Sequence, residues 1–251
     1  MAFDRSLWEE VFSKEQFPSF PCPRCKRGRV SVGSSKLFIV EPTYSKAAHK
    51  HIDWEPDWLV ERFSGHLSCT EKECGETVVV SGDTSTIEVW DDEVGFFVHS
   101  VLRPKSMFPS PPIIAIPKET PNEIEEKIKA AFGLFWLDIG SSANNLRTSV
   151  ESLLDHLKVP KTAIVKKTGE SVSLDLNGRI QYYEKTNPDH ASTFHALRVV
   201  GNLGSHGSKL KREAVLDAFE IYEDALAEVI GGRKAYLDSL KKKIIENKGK
   251  A

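Results

Sequence analysis

All four cysteines of the chain fall in two tight pairs, and that pattern constrains the fold more than any other feature. The first pair is Cys22-Pro-Arg-Cys25; after 43 intervening residues comes Cys69-Thr-Glu-Lys-Glu-Cys74-Gly75. A short spacing lets two thiolates from one turn reach the same ion at about 2.3 Å. Pro23 stiffens the first turn, and Gly75 is expected to relieve crowding after the last cysteine. Each turn leads into a strand-like run, RGRVSV or ETVVVSG. The pattern predicts a zinc ribbon with Cys22, Cys25, Cys69 and Cys74 around one structural Zn2+. Four unrelated thiols, or two disulfides, are the competing reading. The spacings and the reducing compartment expected below disfavour it. His49, His51 and His66 lie in the same region as substitute ligands. Four protein ligands leave no open position for water, so the site reads as structural.

Composition limits the rest. The 251 residues are 40% hydrophobic and 28% charged, with a formal net charge of −2. That is enough chain for two modest cores, and it gives no bulk electrostatic case for nucleic-acid binding. No apolar run approaches the roughly 20 residues that span a bilayer. The N-terminal MAFDRSLWEEVF lacks an apolar signal core, so a cytoplasmic location and no membrane partner are expected.

The fold class expected is α+β, a β-rich ribbon domain followed by an antiparallel helical bundle. Residues 1–103 carry short β-branched and aromatic runs: RGRVSVG, SGHLSC, ETVVVSG, STIEVW and GFFVHSVL. A brief helix is expected from Pro56 to Phe63. Residues 104–120 contain five of the six prolines of RPKSMFPSPPIIAIPKETP and read as an extended connector. Residues 121–251 switch to a helical period. Thr120-Pro121-Asn122-Glu123 is a capping box with proline at the first helical position. Ile124, Ile128, Ala131 and Phe135 then mark an apolar face. Further helices are expected over 141–157, 174–183, from Asn187-Pro188, over 208–230, and over 233–247 after Gly231-Gly232.

Two polar features interrupt these faces. Arg147 continues the row of Ala143, Val150 and Leu154, so it points at or beside the core. Glu151, four residues on, would make a structural ion pair with it. In LRVVGNLGSHG, Arg198, Asn202 and His206 recur every four residues and would share a face if the helix persists. Arginine can hold a phosphate, and histidine can move a proton near neutral pH. A helix end, with histidine near the carbonyl ends and glycine as terminator, is the competing reading of that segment.

The segments ANNLRTSVESLLDHL and LRVVGNLGSHG, with the lead-in PSPPIIAIPKETPNEI, resemble the signature pieces of the prokaryotic domain-of-unknown-function 4145 family. The resemblance spans roughly residues 20 to 230, and members often carry an N-terminal zinc ribbon. That family is similar to the HEPN superfamily, helical bundles found in toxins, RNA-processing factors and phage-defence proteins, often as dimers. The resemblance implies a HEPN-like bundle, a homodimer formed through it, and an RNA or protein partner. Active HEPN ribonucleases use an arginine, four to six residues, then a histidine. His206 matches the histidine, but seven residues separate it from Arg198, and Gly201 stands where the arginine belongs. The expected function is therefore a non-catalytic nucleic-acid- or protein-binding component of a prokaryotic defence or toxin-type system. A metal-independent endoribonuclease using His206, Arg198 and Asn202, and a dimeric assembly subunit, are the alternatives. Trp54 and Trp58, between the cysteine pairs, are a further candidate contact surface.

Overall fold

In the computed structural model the chain forms a mixed α+β protein, described for residues 3–33, 37–93, 95–165, 167, 169–205 and 210–246. It divides into two compact units, Met1–Ile113 with Phe132–Asp138, and Ile114–Ala131 with Ile139–Ala251.

The first unit is a curled antiparallel sheet of seven strands: β1 (Phe12–Ser13), β2 (Phe20–Pro21), β3 (Arg29–Ser31), β4 (Phe38–Val40), β5 (Arg62–Cys69), β6 (Thr77–Asp91) and β7 (Gly95–Phe108). Their order is β1-β7-β6-β5-β3-β2, with β4 also pairing β5. β5 shows why the sheet has one inner face, because Phe63, Gly65 and Leu67 are buried in strict alternation with exposed neighbours. β1 and β2 stand at opposite ends of the order, yet the rings of Phe12 and Phe20 lie only 6.3 Å apart. The curl brings the two ends onto one aromatic core, in which Trp8 and Trp136 also contact Phe20 at 5.5 and 5.9 Å. Phe135 continues the Ile124–Ile128–Ala131 row in sequence but falls past the end of its helix. It packs in this first core, 6.1 Å from Trp8.

Three expectations are corrected here. The runs STIEVW and ETVVVSG are one strand, β6. The helix expected over 56–63 is a single tight turn at Pro56–Trp58 followed by β5, while the helix of this region, α1, lies earlier at Thr43–Ala48. The proline-rich segment is not a connector from residue 104, because β7 continues to Phe108. Pro104 is tolerated because it faces Gly82 at a β-bulge, where a missing N–H is least costly. A Cβ on Gly82 would lie 2.1 Å from the Arg103 carbonyl, so only glycine fits that approach.

The second unit holds α2 (Asn122–Leu134) up to Ala131, then α3 (Ile139–His156), α4 (Leu176–Glu184), α5 (Pro188–Ser205), α6 (Arg212–Val229) and α7 (Arg233–Glu246), with a small hairpin of β8 (Thr162–Ile164) and β9 (Ser171–Ser173). Helices α3 to α6 pack on one another. Their contacts are built from the expected apolar faces: Ala143, Leu146, Val150, Leu153 and Leu154 on α3, and Val215, Ala218, Tyr222 and Ala225 on α6, are all buried. Asp175 caps α4 by accepting from the Gly178 N–H at 2.8 Å.

Candidate metal centre

Each cysteine pair sits on the turn of a hairpin. Cys22 and Cys25 lie between β2 and β3; Cys69 ends β5, and Cys74 lies between β5 and β6. Strand pairing places the turns side by side, with Val30 opposite Cys69. The Thr70 N–H donates to the Arg29 carbonyl at 2.9 Å, and the Arg29 N–H to Thr70 Oγ1 at 3.1 Å. Within the first turn Cys22 N–H donates to the Gly28 carbonyl at 3.0 Å, and Lys26 takes a left-handed φ of 58°. Within the second, Cys69 N–H donates to Glu76 at 2.8 Å and Gly75 has φ 59°.

The four Sγ atoms lie within 4.8 Å of one another. Cys22 and Cys74 are 3.7 Å apart, Cys25 and Cys69 3.8 Å. A tetrahedron with metal–sulfur bonds of about 2.3 Å has edges of about 3.8 Å, so the donors fit a four-coordinate ion. Among the described residues this cluster contains cysteines alone. His49 is engaged with Glu41 at 2.8 Å, and His66 is exposed on β5.

The sulfurs are held unequally. The backbone N–H groups of Gly28 and Arg27 pull the Cys25 thiol down to about 6. Gly28 N lies 3.3 Å from Cys25 Sγ. Burial pushes Cys69 up to about 12 and raises Cys22. Without a cation the cluster would hold protons; a divalent ion would displace them as it binds.

The glycines do different work from that expected. A Cβ on Gly75 would meet nothing within 4 Å, so its role is the left-handed backbone, not relief of crowding. Gly28 is the crowded one: a Cβ there would lie 2.7 Å from Cys69 Sγ and 2.7 Å from Glu71 Cγ. Trp54 is half-buried against His49, with ring centroids 4.6 Å apart, while Trp58 is exposed.

In the helical unit, Arg147 Nη1 donates to Glu151 Oε1 at 2.8 Å and Nε to Asn144 at 3.2 Å. Arg147 is not a core arginine, since its side chain keeps 24% of its exposure. The buried arginine is Arg179, which sequence reasoning missed. It donates to Asp155 Oδ1 at 2.7 Å and to the Val159 carbonyl at 3.1 Å. Its only sequence signal is a cation amid the apolar positions of α4. Arg198 and Asn202 are both half-buried on α5, and Arg198 Nε has no hydrogen-bond partner among the described residues. His206 lies outside the described residues. Gly201 and Gly204 do not terminate the helix. They lie within α5 against α3, where a Cβ would come 2.4 Å from Arg147 Cβ and 2.5 Å from the Gly140 carbonyl.

Fold and cluster together define a mixed α+β protein with a candidate four-cysteine metal centre. Residues 129–248 match the family model of a domain of unknown function, DUF4145. Residues 10–106 match a second domain of unknown function, DUF8608. Neither a curated protein nor a solved structure matches the chain.

Proposed function

We propose that this protein is a non-catalytic binding component in which a zinc ribbon staples the β-rich domain and a HEPN-like helical domain follows it in the chain. The observation that carries this reading is the closed sulfur tetrahedron. Four thiolates with 3.7 and 3.8 Å edges suit zinc and leave it no position for a reacting water. The resemblance of the helical segments supports a place in a prokaryotic defence or toxin-type system, with RNA as the partner class. Arg24, Lys26 and Arg27 support RNA, because all three are exposed on the first metal turn and no ion pair among the described residues holds them. The test is a gel shift with single-stranded RNA at about 50 mM salt, alongside metal analysis. One zinc per chain and binding that weakens with salt are expected, with loss in Arg24→Glu/Lys26→Glu/Arg27→Glu. No retardation at that salt removes RNA from the reading.

A second reading rests on Arg198. A guanidinium whose Nε has no partner among the described residues can meet a phosphate, and the HEPN-type reaction would pair it with His206 as general acid/base. It predicts RNA cleavage in EDTA that disappears in His206→Ala and in Arg198→Ala. Intact RNA after incubation with wild type near neutral pH rejects it.

A further inference from the structure

β5 pairs with β6 only as far as Asp83, and β1 meets β7 only at Val101 and Leu102. Outward from there β6 and β7 continue as a two-stranded arm to Asp91 and Gly95. A two-stranded ribbon is marginal in water by itself. This one nevertheless carries large apolar side chains. Trp90 is 60% exposed and Phe96 75%, their rings packed edge to face at 4.6 Å, and Ile87, Phe97 and Val98 are exposed as well. The same arm is acidic: Glu88, Asp92 and Glu93 lie on it, and no lysine or arginine occurs from Thr84 to Leu102. An apolar, acidic surface suits a partner that is apolar and basic, and disfavours nucleic acid and anionic membrane.

The chain itself carries such a surface. Helix α7 exposes Tyr236, Leu237, Ile244 and Ile245. Among them stand the exposed cations Arg233, Lys242 and Lys243, while Lys241 is paired with Asp238 at 2.8 Å. We propose that the β6–β7 arm of one copy docks on α7 of a second copy. Two arms facing each other would set like charges together. Two reciprocal arm–α7 contacts instead match charge and close a two-fold dimer, in which residue i of one copy meets residue j of the other and the reverse.

The experiment measures the mass of the full-length protein by light scattering over a micromolar dilution series, at low and high salt. A dimer that dissociates more readily in high salt is expected. Lys242→Glu/Lys243→Glu and Glu88→Lys/Asp92→Lys/Glu93→Lys should each weaken it at least tenfold, and the two sets mixed should restore a heterodimer. Trp90→Ser/Phe96→Ser should also dissociate it, with no rescue by charge. A monomeric wild type overturns the proposal without reference to any variant. So does a dimer that both charge reversals leave intact, or reversed partners that fail to associate when mixed.

Discussion

At the scale of single residues the metal turns are decided by which glycine is crowded and which is only bent. Gly28→Ala would drive a methyl to 2.7 Å from Cys69 Sγ, and Glu71 closes the other side at 2.7 Å. Glu71 can swing away, but the sulfur cannot without leaving the tetrahedron. The expected cost is about 1–3 kcal/mol, in the range of overpacked sites, with weaker metal retention. Gly75→Ala strains a left-handed φ of 59° and touches nothing, so it should cost about 1 kcal/mol and leave metal affinity nearly unchanged. Competition with a coloured chelator separates the two. Equal loss of metal from both variants would contradict the assignment. The cysteine spacings were legible in the sequence because each pair sits on one local turn. The role of Gly28 was not, because its neighbour, Cys69, arrives through the pairing of β3 with β5, which no local pattern encodes.

At the scale of elements, α3 carries two arginine contacts of unequal weight. Arg179 on α4 is 6% exposed and ties its helix to Asp155 and to the Val159 carbonyl. Removing it as Arg179→Ala leaves a cavity and a carboxylate with one partner fewer, so about 2–4 kcal/mol of stability should go. Lys161 still reaches Asp155 at 3.0 Å, which keeps the loss from being larger. Arg147→Ala, at the half-exposed Glu151 pair, should cost only about 0.5 kcal/mol. Urea melts of both variants check the ranking, and a reversed order would show that the partially exposed pair matters more than the buried tie. Asp155 also sets an acid limit. Burial alone would raise its carboxyl, but Lys161 and Arg179 outweigh that and hold it below the ordinary 3.8. Its contribution is complete above the unfolded value and is lost as pH falls through the lower folded one, so Asp155→Asn should flatten the stability profile below about pH 4. The sequence exposed the apolar rows of α3 and α6 well, because a 3.6-residue period survives in any packed helix. The Arg147–Glu151 pair was legible too, from its four-residue spacing, but Arg179 was not, because it sits on a short helix of weak periodicity.

At the scale of the whole molecule, the two compact units rely on different forces, and metal removal should separate them. The sheet unit has its aromatic core, yet both hairpin turns that join β2, β3, β5 and β6 converge on the sulfur cluster. Loss of the ion would leave four sulfurs within 4.8 Å, of which Cys25 ionises at about 6 with hydrogen bonds from its neighbouring thiols, while Cys69 is held protonated, so the cluster cannot supply four thiolates without a cation. A bound metal stabilises only the folded form, by an amount that grows with free metal over its dissociation constant. The helical unit contains no cluster of candidate ligands among its described residues, and its stability rests on the faces of α3 to α6. Heating the full-length protein with excess chelator should therefore lower the transition seen by tryptophan fluorescence, because all five tryptophans lie in the first unit: Trp8, Trp54, Trp58, Trp90 and Trp136. The helical circular-dichroism transition should stay within a few degrees of its metal-loaded value. Cys74→Ser should reproduce the fluorescence shift without chelator, since it removes one ligand and keeps its size. If the fluorescence and helical transitions move together, the units unfold as one and the metal serves the whole chain. If neither moves, the aromatic core of Trp8, Phe20 and Trp136 suffices, and the sulfur cluster is not the staple of this domain.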